Sequence, residues 1–193
     1  GEFLYKFVSR DIYVPGGDTS TLLDQGQLYV AKFNDDMTGT WVALTPEATG
    51  MSEAEILIFS RTAASKVGAT TMDRPEWVAV NPVATEAYCA LTNNKNRGVK
   101  TNAGGDQQPV GGPNPREADG DDSNEKDFAG QGNNQMLAGD PVTGQIERFL
   151  TGPKGSEVTG LCWSADRRTM FVGIQHPDAP FPDGEGKLPR SSI

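Results

Sequence analysis

The sequence predicts a mainly β fold: part of a β-propeller, with a helical insertion and long loops. Three observations lead there. Apolar residues make up 36% of the 193, while Gly (23) and Pro (13) are abundant, a mix that suits a turn-rich β protein better than a helical one. Short runs of alternating apolar and polar residues dominate, as half-buried strands do. The second half also carries a repeat. "WVAVNPVATEAYCALT" (77–92) lies over "GLCWSADRRTMFVGIQ" (160–175): each is an apolar strand, a polar turn and a second apolar strand, with Tyr88 and Phe171 at the same offset. Sheets repeated in this way mark propeller blades.

Taken in order, "FLYKFVS" (3–9) and "QLYVAKFN" (27–34) read as strands, and "NDDMTG" (34–39) turns the chain into a third, "TWVALTP" (40–46). The helical insertion falls at about 52–68. Ser52 stands before "EAEILIFSRTAASKVG" with Glu55 at capping-box spacing, and Gly68 is placed to stop the last turn. After the first repeated hairpin come residues 93–134, polar and without periodicity. A stretch that long inside one domain is functional, disordered or a sign that the assignment is wrong. "MLAGDPVTGQIERFL" (136–150) then supplies a hairpin of the kind expected for the outer strands of a blade.

Charge and residue inventory narrow the function. A net charge of −9 leaves no basic surplus to neutralise phosphates, so no nucleic-acid partner is expected. It suits a binder of hard cations, which take carboxylate and carbonyl oxygens. Cys89 and Cys162 both lie in apolar runs and read as buried free thiols, a disulfide between them remaining open. The one histidine, His176, is too few for a His-based zinc site and reads as a hydrogen-bonded structural residue. No apolar run approaches the ~20 residues needed to span a bilayer. No signal peptide is recognisable, and "GEFLYKFVS" reads as a strand already in progress. Serine-hydrolase elbows, Walker loops, zinc-spaced cysteines and dinucleotide fingerprints are all missing from the sequence.

Three stretches carry candidate chemistry. In "MDRPEW", Asp73, Arg74 and Glu76 can offer a guanidinium to an anion and a carboxylate to a cation. Pro75 biases Arg74 toward extended backbone, which points Arg74 and Glu76 to one side. By spacing alone, a salt bridge or a solvated turn is the commoner outcome. In "DGDDSNEKD" (119–127), Asp119, Asp121, Ser123 and Asp127 fall at calcium-loop positions, but Asn124 replaces the glycine and Gly130 the bidentate glutamate. Oxygen ligation by Asp119 or Asp121 is expected there, not an EF-hand. In "GPKGSEVTG", Glu157 precedes an inner-type strand as Glu76 does, a position that opens on the channel of a propeller or is simply an exposed turn. Asn93-Asn94 and Asn133-Asn134 read as turn residues flanking the long loop.

Several strings, in order, resemble the PhoX-type alkaline phosphatases: "LYVAKFND", "GATTMDRPEW", "YCALTNN", "NPREA", "GNNQMLAGDPVTGQIERFLTGPKGSEVTG", "RTMFVGIQHP" and "PRSS". They cover essentially the whole chain. The resemblance implies a β-propeller with long insertions that hydrolyses phosphomonoesters, uses calcium together with a pair of ferric ions, and is exported by the twin-arginine route to a periplasmic or secreted location. It implies that Arg74 contacts phosphate, that Glu76 and Asp119 ligate metal and, on the shorter "EVTG" context, that Glu157 does so too. Departures are equally specific. Neither Cys89 nor Cys162 matches the family's iron-ligating cysteine, which lies in an N-terminal half not present here. "NPREA" abuts "DGDDSN" where the family runs through a further blade, so a segment is expected to be missing between 118 and 119. Asp178-Ala179 stands where the family shows Gly-Glu, and "PRSSI" stops before the family's C-terminus. Residues 1–193 are therefore expected to form one incomplete propeller domain carrying part of the site. A catalytically inactive calcium-binding propeller acting as a binding module, and a different hydrolase on a similar propeller, are the alternatives.

Overall fold

The alternating runs fold as antiparallel sheet. The computed structural model describes residues 2–92, 94, 100–108, 135–153, 156–177, 186–188 and 190–193. Those residues divide into two units, one of Phe3–Lys32 and Thr40–Thr70, the other of Glu2, Phe33–Gly39 and the described part of Thr71–Ile193. Among them no helix is long and apolar enough to cross a membrane.

In the first unit, β1 (Tyr5–Ser9), β2 (Gly26–Phe33) and β3 (Gly39–Ala43) form a sheet in that order, the end residues Phe33 and Gly39 falling in the other unit. β1 runs antiparallel to β2, from Tyr5 opposite Val30 to Ser9 opposite Gly26. Three short helices follow, α1 (Pro46–Thr49), α2 (Glu53–Ile58) and α3 (Ser60–Lys66). Phe3, Val30, Leu44, Ile56, Ala63, Ala64 and Ala69 make one buried cluster. The capping box stands as the spacing predicts. Ser52 Oγ accepts from the Glu55 N–H at 3.3 Å, and Glu55 Oε2 accepts from the Ser52 N–H at 2.8 Å. That backbone bond, and then the one from the Ser52 hydroxyl, hold the Glu55 carboxyl below its usual range. The single helix expected over 52–68 is instead two. Phe59 leaves helical dihedrals (φ −112°, ψ 44°) within Ile58-Phe59-Ser60, a run of middling helix propensity. Gly68, at φ 65°, ends α3 where the sequence placed the stop.

In the second unit, β4 (Pro75–Val80), β5 (Ala87–Leu91), β6 (Gln135–Gly139) and β7 (Ile146–Thr151) form a four-stranded antiparallel meander in chain order. β8 (Glu157–Trp163) and β9 (Met170–Gln175) form a separate hairpin. All three hairpins read from the second half of the sequence are therefore present. Tyr88, Ala90, Met136 and Ala138 from the meander share a buried cluster with Val158 and Leu161 of β8. The Tyr88 ring meets Phe149 edge-on at 5.1 Å and Trp163 at 6.0 Å. On the alternate positions of the same strands, Cys89, Leu91, Gln135 and Leu137 are buried as well. β5 and β6 are thus covered on both faces, whereas β4 is largely exposed. Trp77 Nε1 donates to the Leu161 carbonyl at 2.9 Å and ties β4 to β8. At the other side of the hairpin, Ile174 and Ser192 exchange both backbone hydrogen bonds. The described residues form open sheets of three, four and two strands, without the ring closure that defines a propeller.

Candidate functional site

The candidate site lies where the chain enters β4. Pro75 pairs with Leu91 and Trp77 with Ala90, so Glu76 is the extra residue of a β-bulge, a device that re-aims a side chain out of the ladder's alternation. Arg74 lies just before it with φ 50°, in the left-handed region that costs a residue with a Cβ roughly 1–2 kcal/mol. This corrects the expectation that Pro75 keeps Arg74 extended. Buried anchors on both sides override that bias. The Arg74 N–H donates to the Met72 carbonyl at 3.0 Å, and the Thr92 N–H donates to the Asp73 carbonyl at 3.0 Å. Met72 and Thr92 are fully buried.

Arg74 and Glu76 nevertheless meet, with Nη2 3.2 Å from Oε1. Their side chains are 50% and 42% exposed, so the pair faces solvent and is worth little as a stabilising salt bridge. Asp73 is buried instead of standing on the exposed face with them. Two residues beyond Thr92 the chain enters a polar network. Asn94 is buried and donates from Nδ2 to Gln108 Oε1 at 2.7 Å, and Gln108 Nε2 donates to the Lys100 carbonyl at 3.0 Å. Asn94, read from its dipeptide as a turn residue, is thus buried and hydrogen-bonded. No motif marks Thr92 in the sequence; its one signal is a polar residue continuing "AYCAL" with no Gly or Pro to end the strand.

Of the other candidates, one is described and the rest fall outside the described residues. Glu157 opens β8, half-buried and opposite Gln175. Asp119 and the rest of 119–127, together with Asn93, Asn133, Asn134, Asp178 and Ala179, lie outside the described residues. Among the described residues no three His, Cys, Asp or Glu side chains gather to hold a metal ion. His176 is exposed at φ 49°, and it is its backbone N–H that donates, to Ser191 Oγ at 3.2 Å.

Both cysteines are free, which closes the disulfide alternative. Cys89 is buried as expected, and burial pushes its thiol up to about 12. Cys162 is exposed, against expectation. A register shift between Val158 and Leu161 turns those two residues into the core and leaves Cys162 outward, opposite Phe171. Iodoacetamide at pH 8 is expected to alkylate Cys162 in the native protein and Cys89 only after unfolding. Native alkylation of Cys89 at a comparable rate, by peptide mass spectrometry, contradicts its burial. Because the folded value lies above the ordinary 9.0, the buried thiol disfavours folding only as pH rises from about 9 toward 12.

Comparison with known proteins places the whole chain in one family. The family model described as alkaline phosphatase PhoX matches residues 1–124 and 119–178, and the chain belongs to this family. The two matched stretches overlap at 119–124, next to the step at which a missing segment is expected. Among solved structures, the chain is similar to Pseudomonas fluorescens PhoX in complex with vanadate, a transition state analogue. The two are 37% identical with a TM-score of 0.51, over 100% of this chain and 48% of the other. The chain thus spans about half the length of that relative. A search of curated proteins gives no match. The resemblance read from the sequence is borne out.

Proposed function

We propose that this chain carries part of the active site of a phosphatase that hydrolyses phosphomonoesters. One observation carries the reading: the chain's whole-length likeness to a PhoX solved with a transition-state analogue, with an exposed arginine held at a β-bulge by buried partners. The planar guanidinium of Arg74 would present a fork of donors to two phosphoryl oxygens. Glu76 and the anchored backbone would fix the direction of that fork before substrate arrives, so little ordering remains to be done on binding. Arg74 would then hold the phosphoryl group as its bond to the leaving alcohol breaks and a new P–O bond forms.

Calcium and ferric iron belong to this proposal on the family resemblance, with Glu76, Asp119 and Glu157 as their ligands. Bound cations supply charge neutralisation at phosphoryl oxygens. Glu76 and Glu157 suit a hard cation by donor type but do not by themselves complete a site among the described residues, so no step is routed through a metal. The test is hydrolysis of p-nitrophenyl phosphate by the purified protein, before and after calcium chelation and after calcium is restored. Turnover that chelation removes and calcium restores is expected. Calcium binding with no turnover would instead favour a catalytically silent binding module.

A further inference from the structure

Thr92 touches Asp73, Arg74 and Glu76. It is fully buried one residue past β5. Its N–H donates to the Asp73 carbonyl at 3.0 Å, and its hydroxyl stands 3.5 Å from the Arg74 carbonyl and 3.4 Å from Glu76 Oε1. A carbonyl and a carboxylate only accept, so the one hydroxyl proton is shared between two acceptors on neighbouring turns of the bulge. Each bond is long. Together with the backbone bond they fix the peptide before Arg74, the peptide after it, and the acid against which its guanidinium rests.

We propose that Thr92 is a positioning residue for phosphoryl recognition: through its hydroxyl it sets the direction in which Arg74 meets the anion, without touching substrate itself. The inference rests on the phosphatase reading and deepens it. A packing role makes the opposite forecast. If Thr92 merely fills space, its methyl group matters, and Thr92→Val is harmless while Thr92→Ser is not. If the hydroxyl positions Arg74, Thr92→Ser is tolerated and Thr92→Val is not.

The experiment measures p-nitrophenyl phosphate kinetics, vanadate inhibition and melting temperature for the intact protein and both variants, with crystal structures of each. Thr92→Val is expected to lose on the order of 10-fold in kcat/KM, carried mainly by KM, with vanadate affinity falling in parallel. Thr92→Ser is expected to stay near the parent. Should Thr92→Val not fold, Thr92→Ala against Thr92→Ser makes the same comparison, since those two differ by the hydroxyl alone. A Val variant with parental kinetics, or a Ser variant as impaired as Val, overturns the inference. If the parent neither turns over substrate nor binds vanadate, the phosphatase reading falls, and the crystal structures then decide Thr92 by themselves. Separation of Arg74 from Glu76 beyond about 4 Å in the variant without the hydroxyl supports its positioning role. An unchanged pair overturns it.

Discussion

Replacing Arg74 with alanine is expected to lower kcat/KM for p-nitrophenyl phosphate by about 100- to 1,000-fold, the scale seen when one preorganised donor to a developing charge is removed. Stability should hardly change, because the Arg74–Glu76 pair is half exposed and such pairs are worth ~0–1 kcal/mol. Two further substitutions separate the guanidinium from the backbone beneath it. Arg74→Lys keeps the charge but not the planar fork, so it should recover only part of the loss. Arg74→Gly removes the cost of the positive φ and should raise stability by about 1 kcal/mol while leaving activity as low as in the alanine variant. Urea midpoints and steady-state kinetics on the same preparations read both quantities. Full activity in Arg74→Ala would sink the role given to this residue, and a loss of stability in Arg74→Gly would show that the left-handed backbone is not strained.

The contrast between what could and could not be read from the sequence follows from the range of the forces involved. The capping box at Ser52 and Glu55 and the stop at Gly68 are written within a few residues, and they fold as written. The hairpins are nearly as local: each needs an alternating run and a turn, and all three form. What failed depended on partners remote in sequence. Pro75 does bias its predecessor, but the Arg74 backbone is set by Thr92, eighteen residues on, whose buried bond to Asp73 no local rule anticipates. Cys162 reads as buried by the apolar run around it, yet a register shift in the ladder with β9 turns it outward. Asn94 reads as a turn residue by its dipeptide and is buried, with a hydrogen bond to Gln108 fourteen residues on. Arg74 and Glu76 stand out as candidates because they share a motif, whereas Thr92 lies on a different strand end and carries no motif chemistry of its own.

Leu91→Ala is expected to produce the largest loss of stability, about 2–5 kcal/mol, with an unchanged dependence of unfolding free energy on urea. Leu91 is fully buried at the end of β5, flanked in the ladder by Pro75 on β4 and Gln135 on β6. Neighbours on both sides of a central strand cannot collapse easily into the space its side chain leaves, so the cavity cost adds to the lost burial. Against a typical total of about 5–15 kcal/mol, such a loss is a large fraction of what holds a domain folded. Val80→Ala, on the exposed part of β4, is the control and should change stability by no more than ~0.5 kcal/mol. The pairing with Arg74→Ala separates scaffold from site. Leu91→Ala should shift the urea midpoint while the folded fraction keeps most of its affinity for vanadate, and Arg74→Ala should do the reverse. A Leu91→Ala loss below about 1 kcal/mol would mean that β5 is not the buried strand that carries Thr92 to the bulge. Loss of vanadate affinity in fully folded Leu91→Ala would instead mean that packing at this strand end reaches the Arg74 segment directly, and that the positioning of the guanidinium is shared between the Thr92 hydroxyl and the core beneath it.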